Sequence, residues 1–297
     1  RAALIRTKKE NYIFFMSLHH LIADGWSMEL LFDELIRTYN SLQGGEKVEM
    51  AALSIQYKDY AVWLSKEMQG SDYGRSRAYW LSKFAGELPV LDLPTFQSRP
   101  LVQSYNGAEL VHHFDATFLK QLKDFSSREH ATLFMTLMAG INALLHRYTG
   151  QQDLVLGTPV AGREHPDVED QLGLYLNTLA IRTAVSGAES FTELLAKQKQ
   201  VLLESYEHQR YPFDALVGEL DLKRDTSRSA LFDVLVVLQN QEQLHNLREE
   251  QLTNLKVEPF AFERNRSQFD ITLTFTEEEN LKLHTVYNPD VYSEALM

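Results

Sequence analysis

His19-His20-Leu21-Ile22-Ala23-Asp24-Gly25 brings two imidazoles, a carboxylate and a glycine into one short stretch. That grouping suits proton transfer in a cleft better than it suits packing, because an imidazole gives and takes protons near neutral pH. Asp24-Gly25 ahead of a helix also has an ordinary meaning, a cap followed by a turn. A second pair, His112-His113, lacks the glycine-led helix and falls in an alternating stretch, so it reads as strand surface.

The flanking residues state how the first pair is held. Ala2-Ala3-Leu4-Ile5 and Tyr12-Ile13-Phe14-Phe15-Met16-Ser17-Leu18, separated by Lys8-Lys9-Glu10-Asn11, read as a hairpin whose second, buried strand the histidines close. Beyond them Met28, Leu31, Phe32, Leu35, Tyr39 and Leu42 recur at helical spacing until Gly44-Gly45, with Asp24 at the N-cap position. Successive strand residues point to opposite faces. One histidine is therefore expected to be structural and the other available.

Composition narrows the chemistry. The chain has 297 residues and no cysteine, which removes disulfides, thiolate nucleophiles and cysteine metal sites. Its formal net charge of -12 argues against nucleic acid as a partner, since phosphate neutralisation needs clustered Lys and Arg. The best membrane candidate, Leu133 to Leu145, is too short and carries Thr136 and Asn142. Ten histidines include no HExxH spacing, and no metal site is expected.

Further along, Tyr57, Tyr60, Ala61 and Leu64 mark a second helix, and Tyr79-Trp80 with Phe84 a third. Pro89, Pro94 and Pro100 then read as an extended linker between two bodies, with the boundary set between 98 and 99. The second body alternates strands (Ala108 to Phe114, Asp153 to Val160, Ala180 to Ala184, Phe232 to Gln239, Ile271 to Phe275) with helices (Ala116 to Ser126, Leu133 to Tyr148, Phe191 to His208). The fold class is α/β with mixed sheets. The chain opens inside a hairpin and ends without a helix over its last strand, and such an uncovered edge suggests a piece of something longer.

With these residues in hand, the chain resembles the condensation domains of nonribosomal peptide synthetases. His19 to Gly25 matches the family's HHxxxDG pattern, and Gly25-Trp26-Ser27 continues it in the manner of peptide-bond-forming members. Tyr57 to Trp63, Gly157 to Arg163, Leu172 to Thr178, His208 to Asp214 and Arg224 to Arg228 are similar to later family blocks, in family order. Where family members often read Asn-Pro-Leu, this chain has Ser229-Ala230-Leu231. A heterocyclisation domain would carry Asp in place of His19.

The resemblance implies a chloramphenicol-acetyltransferase-like two-lobed fold, with an incomplete N-lobe over 1–98 and a C-lobe over 99–297. It implies peptide bond formation between two carrier-bound thioesters, with His20 catalytic at a tunnel between lobes, either taking the amine proton or holding the amine and the zwitterionic intermediate. His19, Asp24 and Gly25 are then supporting residues. Arg163 is a candidate structural partner for Asp24, and the Gly25 N–H could face the oxyanion. Asn177 and Tyr211-Pro212-Phe213 read as strand termination and packing as readily as substrate contacts, and Arg224 and Arg228 as phosphate binders or loop anchors. The implied partners are upstream and downstream peptidyl carrier domains, which present 4'-phosphopantetheine, and an adjacent adenylation domain. No cofactor is bound by the domain itself, and the location is cytoplasmic in a multidomain enzyme of antibiotic or siderophore biosynthesis.

An α-amino group has a reference pKa of about 7.7 to 8.0, so the base need not be strong. General base catalysis typically contributes about 10²- to 10⁴-fold, whereas holding two reactants in register is worth about 7 to 11 kcal/mol. Positioning therefore outweighs proton transfer, and the chain alone is expected to be inactive without the rest of its N-lobe. Competing readings are an epimerisation domain or an acyltransferase of the same fold, and a non-catalytic scaffold that docks carriers.

Overall fold

The computed structural model describes residues 1–48, 50, 52–95, 98–222, 225–239, 252–258, 260 and 265–297. The chain divides into two compact units, one made of Arg1–Gln69, Ala161–Leu176 and Glu242–Glu263, the other of Gly70–Val160, Asn177–Gln241 and Arg264–Met297.

The first unit starts with an antiparallel hairpin, β1 (Ala2–Arg6) and β2 (Tyr12–Met16), in which Ala2 pairs with Met16 and Arg6 with Tyr12. Its tight turn is closed by the Thr7 N–H on the Asn11 carbonyl at 2.9 Å. β2 is not the buried strand its aromatic composition predicts, because Tyr12, Phe14 and Phe15 are about half exposed. Among the described residues the two strands pair only with each other, so each leaves its outer edge without a neighbouring strand. After β2 come a 3-10 turn (His20–Ile22), α1 (Gly25–Gln43) and α2 (Tyr57–Glu67). Gly45 follows α1 in the left-handed region at φ 73°, where glycine meets no steric penalty. A short helix, labelled α6 in chain order (Pro166–Glu169), lies in the segment 161–176.

The second unit holds α3 (Ser71–Lys83), β3 (Ala108–Phe114), α4 (Ala116–Arg128), α5 (Leu133–Thr149), β4 (Asp153–Val160), β5 (Asn177–Ala184), α7 (Phe191–Glu207), α8 (Phe213–Glu219), β6 (Val234–Gln239), β7 (Ile271–Glu277) and β8 (Leu281–Tyr287). The strands form one six-stranded sheet in the order β3-β8-β7-β6-β4-β5. β6 runs parallel to β4 and β7, and the other pairings are antiparallel, which makes the sheet mixed. Leu154, Leu156, Leu179, Ile181 and Val236 from the strands are buried with Met138, Leu195 and Leu202 of α5 and α7. Each such side chain contributes about 1.5 to 3 kcal/mol relative to exposure.

Two expectations change here. The proline-bearing stretch is not a linker between bodies, since Leu91 and Leu93 are buried in the second unit's core. It is strapped down by polar groups as well: the Gln151 amide accepts from the Asp92 N–H and donates to the Val90 carbonyl, both at 2.9 Å, and Arg228 donates to the Leu91 carbonyl at 3.1 Å. The second unit also takes in α3, whose Trp80 and Phe84 are buried in that same core. Nor is the last strand an uncovered edge. β8 lies between β3 and β7, which satisfy its backbone on both sides.

Candidate active site

β2 ends at Met16, so the histidine pair lies beyond the strand, and strand alternation is not what separates the two rings. His19 has extended backbone (φ -79°, ψ 136°) and caps the 3-10 turn, its Nδ1 accepting from the Leu21 N–H at 3.1 Å. With Nδ1 used as an acceptor, the ring proton of a neutral His19 lies on Nε2. His20 is the first residue of the turn and is exposed, and its imidazole has no hydrogen-bond partner among the described residues. The turn itself buries no side chain. Its position is therefore fixed from its two ends.

The C-terminal end is anchored by Asp24, which is 4% exposed. Its Oδ1 accepts from the Ser27 N–H and hydroxyl, each at 2.8 Å, and from Arg163 Nη2 at 3.1 Å, while Oδ2 accepts from the Tyr175 N–H at 3.1 Å. Burial raises the Asp24 carboxyl, but the Ser27 and Tyr175 backbone N–H groups, the Ser27 hydroxyl and the Arg163 charge outweigh it and hold it below the usual carboxylate range. The same contacts make Asp24 the N-cap of α1.

Arg163 is almost wholly buried and carries the opposite charge. Nη1 donates to the Val168 carbonyl and, at 2.7 Å, to that of Gln171, and Nη2 also reaches the Ser27 hydroxyl at 2.9 Å. Its guanidinium lies 4.2 Å from the centre of the Tyr175 ring and 5.8 Å from that of Trp26. Tyr175 is itself wedged among Tyr57 and Tyr60, at ring separations of 5.2 and 4.6 Å, and burial pushes its phenol up to about 12. Gly162 makes the loop possible. Its φ is 67°, and a Cβ there would lie 2.0 Å from the Tyr175 carbonyl oxygen.

Gly25 is the first residue of α1, and a Cβ placed on it would meet nothing within 4 Å. The first-turn N–H groups of a helix have no intrahelical acceptor, so the Gly25 N–H is a donor left over by the helix. Among the described residues no group of three or more His, Asp or Glu is placed to hold a metal ion, and no helix is long and apolar enough to cross a membrane.

The remaining sequence candidates lie in the second unit. Asn177 Nδ2 donates to the Gln209 and Tyr211 carbonyls at 2.7 and 2.8 Å, and its Oδ1 accepts from the Phe213 N–H at 3.2 Å, so it pins the turn that leads into α8. Arg228 pairs with the buried Asp233, a loop anchor. Arg224 lies outside the described residues. Sequence reasoning assigned no role to Ser27, Tyr175 or Trp26. All three lie inside quoted motif blocks, and that is the signal that could have drawn attention to them.

The family model for the condensation domain matches residues 1–297, the whole chain. The chain belongs to the condensation-domain family. Relatives of this condensation domain include tyrocidine synthase 3 of Brevibacillus parabrevis, 40% identical over 94% of the chain, and gramicidin S synthase 2 of Brevibacillus brevis, 39% identical over 94%. The chain spans only 4% and 6% of those two proteins. Among solved structures it superposes on a four-domain nonribosomal peptide synthetase bound to AMP and glycine with a TM-score of 0.86, at 24% identity, covering 99% of this chain and 23% of that one. The X-domain from teicoplanin biosynthesis gives 0.85 at 22% identity, covering 100% of this chain and 68% of that one. The fold of this condensation domain is thus the chloramphenicol-acetyltransferase-like fold of its family, built on a mixed sheet.

Proposed function

We propose that this condensation domain is an acyltransferase that forms a peptide bond inside a cytoplasmic nonribosomal peptide synthetase. The donor is an aminoacyl or peptidyl thioester and the acceptor an aminoacyl thioester, each presented on the 4'-phosphopantetheine arm of a carrier domain, upstream and downstream, with an adenylation domain adjacent. One observation carries the reading. His20 presents an unpaired, exposed imidazole, while the residues on both sides of it, His19 and Asp24, are tied into the backbone.

His20 orients the acceptor amine and receives its proton as the nitrogen attacks the donor carbonyl. A C–N bond forms, the C–S bond breaks, and the proton passes to the departing sulfur, giving an amide and a free pantetheine thiol. The Gly25 N–H, at the positive end of α1, donates to the oxyanion that forms on the way, an interaction typically worth about 2.7 to 4 kcal/mol. His19 and Asp24 do no chemistry. They hold the turn.

The test is product analysis in the synthetase that carries the domain, with both carriers loaded. An amide joined to the downstream carrier supports the reading. A donor that is only epimerised, or amide formed from coenzyme A thioesters but not from carrier-bound ones, would replace it with another reaction of the same fold.

A further inference from the structure

Ser27 has more to do than continue a helix. It is 1% exposed, and its hydroxyl touches four polar groups: Asp24 Oδ1 and the Gly173 carbonyl oxygen at 2.8 Å each, Arg163 Nη2 at 2.9 Å and the Gly173 N–H at 3.0 Å. A hydroxyl offers two lone pairs and one proton. Arg163 and the Gly173 N–H occupy the lone pairs, which leaves the proton for Asp24 or the Gly173 carbonyl, and the ionised carboxylate is the stronger acceptor. No apolar side chain can replace that set, and neither can a donor-only one.

The two segments that Ser27 joins are the first turn of α1 and the loop at Gly173, 146 residues apart in the chain. The loop can come this close because residue 173 is glycine; a Cβ there would lie 2.4 Å from the Tyr57 ring. The 3-10 turn bearing His20 buries nothing of its own. Whatever fixes Asp24 therefore fixes the direction in which the His20 imidazole emerges. We infer that Ser27 is a positioning residue for the amide-forming reaction, acting through Asp24 on the placement of His20. This rests on the assignment of His20 made above.

The experiment compares wild type, Ser27→Ala, the near-isosteric Ser27→Cys and His20→Ala in the complete synthetase, with turnover expressed per folded molecule after circular dichroism and thermal melting. Displacing a reacting group by about 1 Å costs on the order of 100-fold. Ser27→Ala and Ser27→Cys should lower kcat by about 10- to 100-fold and leave KM for both loaded carriers nearly unchanged. Unchanged kcat in either variant that folds would overturn the inference. So would failure of both to fold, because Ser27 would then hold the unit together rather than aim the turn. His20→Ala separates the two claims: if it retains full activity, the assignment of His20 is wrong, whereas if it alone loses activity, only the inference about Ser27 is.

Discussion

Arg163 lies 3.1 Å from Asp24 across 139 residues of sequence, and both side chains are almost wholly withdrawn from solvent. A buried ion pair is not stabilising in proportion to its Coulomb energy, because both charges lose their water. Removing one partner is another matter, since the other is left charged and dry. Arg163→Ala is expected to destabilise the first unit by about 3 to 5 kcal/mol, and Arg163→Lys should recover little of it because an ammonium cannot reach Val168, Gln171, Ser27 and Asp24 at once. Urea unfolding of the three proteins, followed by the combined fluorescence of Trp26, Trp63 and Trp80, measures this.

The depressed Asp24 carboxyl gives a pH dependence of definite sign. Its folded value lies below the unfolded one, so the stability it contributes is fully present above the unfolded value of about 3.9 and is lost as pH falls through the folded value. Asp24→Asn should lower stability at neutral pH and flatten the acid limb of the stability curve. A limb of unchanged steepness would show that another carboxylate governs it.

Gly162 and Gly157 test close approach in the two units separately. At Gly162 a side chain meets both a positive φ and the Tyr175 carbonyl, and at Gly157 a Cβ would lie 2.1 Å from the Phe232 ring. Left-handed backbone alone costs a non-glycine residue about 1 to 2 kcal/mol, so Gly162→Ala should exceed that figure and expose the 161–176 loop to limited proteolysis. Gly157→Ala should lower the melting temperature and leave that loop protected.

His19 acts through an acceptor atom, and other side chains supply one. Asparagine is a good N-cap and alanine a poor one, a difference of about 0.5 to 2 kcal/mol. Amide exchange at Leu21 should quicken in His19→Ala and stay near wild type in His19→Asn. Equal exchange in the two variants would mean that the Nδ1 contact at 3.1 Å does not hold the turn.

α5 to its glycine stop and the apolar strand β4 were legible in the sequence because their hydrophobic period matches their burial. The hairpin and α1 were legible as elements only: β2 stays half exposed, and α1 buries Ile36 while Leu35 and Leu42 of the expected face are exposed. β8 was missed because Lys282 and His284 interrupt its apolar residues, although the strand lies in the sheet interior. The proline stretch misled because its prolines mask Leu91 and Leu93, which are the residues that pack. In the site, His19, His20, Asp24 and Gly25 stood out by local spacing. Arg163 entered only through the family blocks, since nothing local links two residues so far apart. Tyr175 holds Asp24 through its backbone N–H, and a backbone donor leaves no signature in residue type.

The most direct test of the proposed chemistry is the single-turnover rate of amide formation by the His20→Ala synthetase, with both carriers loaded and their binding measured in parallel. A loss of about 10²- to 10⁴-fold with carrier binding unchanged is the expected result. A rate equal to wild type would contradict the assignment of His20 to the reaction.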